Sequence, residues 1–367
     1  MAISTVAERL LRPLIQGVSL PLRLFQDPFF TGVALFALTR APVQHRNRLL
    51  TLLRERGLSS DCMRTLIYVL KGLFAAGVLL RANQALNALA LKMWHLRKPG
   101  ASYQFGAPGK PELVVVTGGC SGFGYEMVKG FSKYARVIIL DVTPVPPELA
   151  MIPDVHYYQL DLADFPAIES TAEQIRRDHG DPSVLINNAG MVSGTTVIGS
   201  NAKLTERIFK VNVASHFILI KEFLPAMLKA KKGHVVTMAS VASFFTKPGT
   251  IDYCCTKVAA LYLNDGLRAE LRDHYENGRC IQTTSVHPGW HATGMTARHR
   301  ARMEKNGARM APASDVSDAI IEQVLAGRSG RIFMPRGEAR RTMNRNWPIW
   351  LQDAVAHLDD RSMIRVG

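Results

Sequence analysis

A tyrosine and a lysine four residues apart form the pair in this chain with the most evident chemistry. Tyr253 and Lys257 occur in YCCTK, a spacing that places both side chains on one face of a helix. A free phenol has a pKa of about 10, and a nearby lysine charge favours the phenolate. We therefore expect the pKa of Tyr253 to be lowered, which would make its hydroxyl a general acid or base near neutral pH. An ordinary exposed pair on a helix would show the same spacing.

A serine thirteen residues before the tyrosine extends this arrangement. The apolar run 235–239 (VVTMA) predicts a buried strand, and Ser240 follows at its carboxyl end. Open parallel sheets bind ligands at that edge. A hydroxyl there could hydrogen-bond the substrate oxygen that Tyr253 protonates.

A glycine-rich turn lies between a predicted strand and a predicted helix. The strand 112–117 (ELVVVT) leads into a T-G-x-x-x-G-x-G pattern, and the helix continues through Phe131. Glycines permit a tight turn and a close approach of the backbone to a pyrophosphate, whose charge the helix amino end favours. This context predicts a dinucleotide site. Its expected contacts are Gly118, Ser121, Gly122, Phe123 and Gly124.

The next strand, 136–140 (RVIIL), ends at Asp141. A carboxylate at this position can accept hydrogen bonds from both ribose hydroxyls of NAD, and it would repel the additional phosphate of NADP. The glycine turn contains no basic residue that would offset the repulsion. We therefore expect NAD to be favoured over NADP.

Polar and small residues follow the later strands. The aspartate after 155–160 either contacts the adenine amino group or caps a helix. The asparagines after 183–186 either lie near the cofactor or hydrogen-bond the backbones of neighbouring strands. For Asn187 we expect the structural role at least as much as contact with the cofactor. The expected contacts with the cofactor are Asp161, Leu162, Asn188, Ala189, Gly190, Pro288, Gly289 and Thr293.

Asn212 lies in a long helix predicted over 206–228. An asparagine on the apolar face of a helix must find hydrogen-bond partners. It is therefore either a satisfied core amide or a link in a proton path. The other predicted elements are helices at 168–178, 253–271 and 314–326, strands at 281–286 and 331–334, and a basic lid at 294–310.

Strands alternate with helices through short connections, which predicts an α/β fold with a doubly wound parallel sheet of the Rossmann type. Together with the motifs above, residues 111–335 resemble the short-chain dehydrogenase/reductase family. The stretch 234–257 and the apolar, basic amino-terminal third resemble the membrane-associated subgroup that includes retinol and 17-beta-hydroxysteroid dehydrogenases.

The resemblance implies roles for four residues. Tyr253 would be the acid or base on the substrate oxygen, and Lys257 would lower its pKa and hold the nicotinamide ribose. Ser240 would orient the carbonyl or alcohol, and Asn212 would keep a water that links Lys257 to solvent. Two positions depart from the family pattern, which usually has smaller or aliphatic residues there. They are Phe123 and His291.

The charge of the 367-residue chain is +15 and is concentrated in its first third. Residues 1–110 carry 15 Lys and Arg against 4 Asp and Glu. An excess of basic residues indicates nucleic acid or an anionic membrane as partner. Here it is interleaved with apolar runs, so we favour a membrane over nucleic acid and expect no nucleic-acid partner. The five cysteines have neither metal-ligand spacing nor a disulfide pattern, and no metal is expected.

The apolar runs 29–38, 65–80 and 82–94 predict a helical extension before the catalytic domain. It could be a tilted membrane span, an anchor lying in the membrane interface, or soluble helices packed on the catalytic domain. We predict a membrane-associating region with a linker at 1–110, a catalytic domain at 111–335, and a helical tail at 336–367. The linker itself is the Gly- and Pro-rich segment 98–110.

These observations favour an NAD(P)-dependent oxidoreductase acting on a lipophilic alcohol, ketone or aldehyde. The alternative is a lipid-surface protein that binds nucleotide with little or no turnover. The expected location is the endoplasmic reticulum membrane or a lipid droplet, with the catalytic domain in the cytosol. The resemblance also implies a homodimer formed through the long helices.

Overall fold

The computed structural model describes residues 27–297, 300–301 and 310–360 of the chain. The chain divides into two compact units, 1–94 and 95–367. The predicted linker 98–110 lies within the second unit.

Three helices form the described part of the first unit, α1 (Pro28–Thr39), α2 (Val43–Glu55) and α3 (Ser60–Leu91). Ser59 caps α3 by accepting a hydrogen bond from the backbone of Cys62. The runs predicted separately at 65–80 and 82–94 form this one helix, because Arg81 continues it and pairs with Asp27 at 2.8 Å. At 1.5 Å per residue, its 32 residues span about 48 Å.

The second unit is built on a seven-stranded parallel sheet of order β3-β2-β1-β4-β5-β6-β9. The strands match the apolar runs of the sequence within two residues at each end. Their bounds are β1 Leu113–Thr117, β2 Arg136–Asp141, β3 Val155–Gln159, β4 Val184–Asn187, β5 Gly233–Met238, β6 Ile281–Pro288 and β9 Gly330–Met334. A separate two-stranded sheet joins β7 (His291–Ala292) to β8 (Ala311–Pro312).

Helices cover both faces of the main sheet. The described helices of the second unit are α4 Gly122–Phe131, α5 Pro147–Ala150, α6 Phe165–His179, α7 Ala202–Phe209, α8 Ser215–Lys229, α9 Ile251–Asp273, α10 Gly294–Ala297, α11 Ala313–Leu325 and α12 Ile349–Asp360. One core cluster joins β1, β4 and β5 to α4 and α11, and its central side chains are fully buried. On the opposite face, α8 packs on β4 and β5, and α9 packs on β5 and β6.

The long helix predicted over 206–228 is confirmed as the helical stretch Ala202–Lys229, but its winding is not uniform. A π-helical turn, Lys210–Ala214, separates α7 from α8 and carries Asn212. A π turn adds one residue to the local winding and frequently occurs at functional sites. The sequence pattern missed it because a single inserted residue leaves the apolar face on either side intact.

The segment 98–110 is hydrogen-bonded to the amino edge of the sheet rather than free. The Tyr103 hydroxyl donates to Gln282 at 3.1 Å, and the backbone of Gln104 donates to Glu112 at 2.7 Å. Glu112 is also paired with Lys232 at 2.8 Å. At the other end of the unit, a 3₁₀ segment (Arg336–Asn346) precedes α12 in the predicted helical tail.

Candidate active site

The turn between β1 and α4, residues 118–124, exposes backbone that its glycines leave without side chains, and we call it the glycine cradle. Gly118 and Gly122 have φ of +64° and +54°, a region that glycine adopts without strain. A Cβ on Gly124 would lie 2.0 Å from the carbonyl oxygen of Gly118, so a side chain would fill the cradle. Ser121 precedes α4 without making a side-chain cap. Such a helix amino end suits a phosphate group.

Asn188 ties this turn to the end of β4. Its Nδ2 donates to the carbonyl oxygens of Thr117 and Gly118 at 2.9 and 3.1 Å. In return, the Thr117 hydroxyl accepts from the backbone N–H groups of Asn188 and Ala189 at 2.9 and 3.0 Å. The structural role expected for Asn187 is thus wrong, because Asn188 fills it. Asn187 is still within the strand, and its amide has no hydrogen-bond partner among the described residues.

Asp141 is buried at the end of β2 and is engaged through both carboxylate oxygens. Oδ2 accepts from the backbone of Cys120 at 2.9 Å. Oδ1 accepts from the backbone and hydroxyl of Thr143 at 3.0 and 2.9 Å. Because a carboxylate offers about four acceptor positions, these three donors leave room for a further one. Burial and the Asp141 charge together raise the pKa of the Cys120 thiol to about 12.

Ser240 and Tyr253 meet where β5 ends and α9 begins. The Ser240 hydroxyl donates to the carbonyl oxygen of Pro288 at 3.4 Å and accepts from the backbone of Ala242 at 3.1 Å. Burial raises the pKa of Tyr253 to about 12, and a hydrogen bond with the Ser240 side chain opposes this rise. The Ser240 hydroxyl therefore lies near enough to the Tyr253 phenol to act on its pKa, and the two groups could bind one substrate oxygen.

Lys257 lies one helical turn further along α9 and is 3% exposed. Its Nζ donates to the carbonyl oxygen of Met238 at 2.7 Å and lies 5.5 Å from the centre of the Tyr253 ring. Burial lowers the pKa of Lys257 to about 8. The expected lowering of the Tyr253 pKa is wrong in this structure, because burial of the phenol outweighs an ammonium directed at a backbone carbonyl.

Asn212 is held in the π turn as a satisfied buried amide. Its Oδ1 accepts from the backbone of Met191 at 2.8 Å, and its Nδ2 donates to the Met191 carbonyl at 2.9 Å and to Thr256 at 3.0 Å. A Cβ on Gly190 would lie 3.5 Å from Lys257 Nζ and 3.6 Å from Asn212 Oδ1. Asn212 thus fixes the loop after β4 beside the lysine. Its link to a proton path stays a prediction.

Asp161 caps the turn that follows β3. Its Oδ1 accepts from the backbone of Ala163 at 3.0 Å, and its Oδ2 pairs with Arg207 at 2.9 Å. Leu162 beside it is buried. The helix that follows is capped by Asp164, whose side chain accepts from the backbone of Ala167 at 3.1 Å. The helix-capping alternative for Asp161 is therefore wrong, and its contact with adenine stays a prediction.

The turn after β6 closes the site from a third side. The backbone of Gly289 donates to the Met334 carbonyl at 2.7 Å, which holds this turn to the end of β9. The side chain of Thr293 lies over the glycine turn, 3.5 Å from where a Cβ on Gly122 would be. Most of the predicted lid, 294–310, lies outside the described residues.

The two residues that depart from the family pattern pack against each other. The rings of Phe123 and His291 are 5.5 Å apart between centroids and make an edge contact at 75°. His291 is 2% exposed, and its Nδ1 lies 3.1 Å from the Gly289 carbonyl oxygen. The unusual His291 therefore provides a packing partner for the unusual Phe123.

Sequence reasoning missed two polar residues near the site. Thr117 was treated as part of a strand, although a threonine directly before the glycine turn could have indicated its use as an acceptor. No motif in the sequence includes His216. Its position four residues after Asn212 places it on the same helical face, which was the available signal.

Residues 112–304 match the family model described as short chain dehydrogenase, which is more than half of the chain. The chain belongs to the short-chain dehydrogenase family. The predicted family is therefore confirmed, together with its parallel sheet.

Two curated relatives carry related names. Dehydrogenase RED3 of Cochliobolus heterostrophus is 44% identical over 131 residues, covering 36% of this chain and 66% of that protein. Epidermal retinol dehydrogenase 2 of Mus musculus is 34% identical over 192 residues, covering 50% of this chain and 62% of that protein. The chain thus spans slightly less than two thirds of the length of each. The second relative bears out the predicted resemblance to retinol dehydrogenases.

Among solved structures, 4-hydroxyisoleucine dehydrogenase complexed with NADH is similar, with a TM-score of 0.55. It is 23% identical and covers 60% of this chain and 96% of its own. At this identity the likeness concerns the fold, and it confirms the doubly wound parallel sheet.

Proposed function

We propose that this chain is an NAD(P)-dependent oxidoreductase that interconverts a lipophilic alcohol and its ketone or aldehyde. The observation that carries the proposal is the meeting of Ser240, Tyr253 and Lys257 at the sheet edge that bears the glycine cradle. Parallel α/β sheets bind ligands at that edge. A phenol, a hydroxyl and an ammonium group gathered there can handle the proton of an alcohol.

The residues present fit a nicotinamide dinucleotide. The cradle from Gly118 to Gly124 would hold the pyrophosphate, Asp141 a ribose hydroxyl, and Lys257 the second ribose. When bound, the dinucleotide supplies the hydride acceptor or donor. Asp141 supports NAD over NADP, because its buried carboxylate would repel an additional phosphate.

The protein's own residues then handle the proton. With a pKa of about 12, Tyr253 is protonated at neutral pH, the form that donates a proton to a carbonyl oxygen. Alcohol oxidation needs the phenolate, which the buried ammonium of Lys257 would stabilise. The Ser240 hydroxyl would orient the substrate oxygen next to Tyr253.

Aromatic residues that follow Ser240 and β6 in the chain support an apolar substrate. Phe244 and Phe245 follow Ser240 in the chain, and Phe244 packs on His287 with ring centroids 5.2 Å apart. Trp290 lies in the turn after β6, next to Gly289. The similarity to a protein named a retinol dehydrogenase supports a lipophilic substrate of this kind.

We further propose that the first unit attaches the protein to a membrane, at the endoplasmic reticulum or a lipid droplet, with the catalytic unit in the cytosol. Within the part of the chain that the structure describes, two helical stretches are long and apolar enough to cross a membrane, Ser60–Leu91 and Ala202–Lys229. The second belongs to the catalytic unit and is 44% buried in its most apolar window, against 17% for the first. α3 is therefore the better candidate for membrane contact.

The test is the absorbance change of the nicotinamide in detergent, with NAD and NADP offered against retinoids, steroids and long-chain alcohols. We expect turnover with NAD that falls at least about a hundredfold in Tyr253→Phe, in line with loss of an acid or base. Tyr262→Phe is the matched control, since Tyr262 is on the same helix and 73% exposed.

Turnover that survives in Tyr253→Phe would contradict the proposed proton transfer. A preference for NADP would contradict the role given to Asp141. Cofactor binding without turnover on any substrate would favour the alternative, a lipid-surface protein that binds nucleotide.

A further inference from the structure

Three fully buried side chains behind the proposed active site lack protein partners. Both amide atoms of Asn187, the hydroxyl of Thr237 and both ring nitrogens of His216 have no hydrogen-bond partner among the described residues. All three side chains are at most 1% exposed. Buried polar groups in folded proteins are nearly always hydrogen-bonded to protein or to ordered water.

Asn187 and Thr237 face the same layer of the fold. They are register partners on the neighbouring strands β4 and β5. The preceding residues, Ile186 and Val236, belong to the core cluster on the α4 and α11 side. Because side chains alternate along a strand, Asn187 and Thr237 point to the opposite face, where α8 and α9 pack.

His216 reaches this layer from α8. It lies just after the π turn, and burial followed by the nearby charge of Lys257 lowers its pKa to about 3. The imidazole is therefore neutral and close to the lysine. Lys257 Nζ in turn contacts Met238, the residue after Thr237, and lies beside Gly190, three residues after Asn187.

We propose that Asn187, Thr237 and His216 form a buried water site that hydrates the ammonium group of Lys257 from behind. Their five unpartnered atoms provide enough donors and acceptors for a buried water, which usually makes about three hydrogen bonds. The site would lie on the sheet side of the lysine, whereas Asn212 is satisfied by Met191 and Thr256. His216 is then a positioning residue for the proposed proton transfer.

The charged surroundings of His216 are simple. α9 presents Lys257, while β4 and β5 present the uncharged Asn187 and Thr237. The charged pair between α6 and α8, Arg176 with Glu222, lies further along α8. A change at His216 should therefore act on the site through Lys257.

The first experiment needs no activity and compares the thermal unfolding of the full chain with that of Thr237→Val. If a water binds the Thr237 hydroxyl, valine removes a hydrogen bond and lowers Tm by about 2–4 °C. If the pocket is dry, valine relieves an unsatisfied hydroxyl, and an unchanged or higher Tm would overturn the water site.

The second experiment rests on the proposed function and measures the pH profile of alcohol oxidation. His216→Phe should reduce the hydration of the Lys257 ammonium and so disfavour its charged form. The phenolate of Tyr253 would then be stabilised less. We therefore expect the acidic limb to move to higher pH by about 0.5–1 unit. His216→Gln, which keeps an acceptor and a donor, should restore most of the original profile.

The matched control is His234→Phe. His234 is equally buried, with a pKa lowered to about 3, but the charge near it is Lys98 rather than Lys257. The link to Lys257 would be overturned if His216→Phe left the acidic limb of the pH profile unchanged. It would also be overturned if His234→Phe shifted that limb as much as His216→Phe does. If the unmodified chain shows no turnover, the proposed function fails, and the Tm of Thr237→Val still decides the water site.

Discussion

Lys257 is the residue at which burial and charge compete most directly. Its ammonium is 3% exposed and donates to the Met238 carbonyl, which does not offset its removal from bulk solvent. The consequence is a pKa of about 8 in the fold, against about 10.5 in the unfolded chain. Between these values the unfolded chain binds more protons, so the stability contributed by this residue rises with pH.

We predict that Lys257→Met removes this rise. From pH 8 to pH 10, the free energy of unfolding of the unmodified chain should increase relative to that of the variant, on the order of 2–3 kcal/mol. Urea denaturation at pH 7, 8, 9 and 10 measures the difference. Parallel curves for the two proteins would show that the lysine keeps its ordinary pKa.

At the scale of single residues, the sequence predicted which side chains lie together in the site but not the pKa values of those side chains. The meeting of Ser240, Tyr253 and Lys257 follows from strand ends and helical spacing. The pKa of Tyr253 was predicted in the wrong direction, because a spacing rule contains no information on how deeply the phenol is buried. Asn188 rather than Asn187 bonds the neighbouring strand end, because Asn187 is the last residue of β4 and successive side chains point to opposite faces.

At the scale of elements, the contact between Phe123 and His291 joins α4 to β7. An aromatic pair in edge geometry contributes about 0.5–1.5 kcal/mol beyond the area it buries. We predict a coupling of this size in a double-mutant cycle of Phe123→Leu and His291→Ile, measured by chemical denaturation.

The control for this cycle pairs Phe131→Leu with His291→Ile. Phe131 is also on α4, but eight residues further along, about 12 Å of helix away. The changes in the free energy of unfolding caused by Phe131→Leu and His291→Ile should therefore add within about 0.5 kcal/mol. Additivity in both cycles would mean that the two unusual residues are independent.

The strands were the most predictable elements. Most of them read as apolar runs, since both faces of a parallel sheet are covered by helices, whereas β3 and β6 also contain polar residues. The π turn was not predictable from periodicity. It nevertheless decides where Asn212 and His216 lie, because one added residue rotates the side chains that follow.

At the scale of the whole molecule, α3 carries the prediction on membrane association. Leu79 and Val69 on this helix are 70% and 52% exposed. We predict that Leu79→Arg with Val69→Arg lowers the vesicle-bound fraction in flotation at least about tenfold, because charges on an inserted helix cost several kcal/mol. The control is Ile198→Arg with Met151→Arg, two exposed positions of the catalytic unit. Equal flotation of the two double variants would exclude α3 as the contact.

The segment 98–110 has a practical consequence for dissecting the protein. The residues that the sequence predicts as a linker are bonded to the sheet through Tyr103, Gln104 and the buried Glu112–Lys232 ion pair. A truncated form starting at residue 111 would expose the first strand at its amino end, whereas one starting at residue 95 would keep these bonds. We expect the longer fragment to be recovered folded and the shorter one to be degraded or insoluble, and limited proteolysis of both would reveal where the independently folding unit begins.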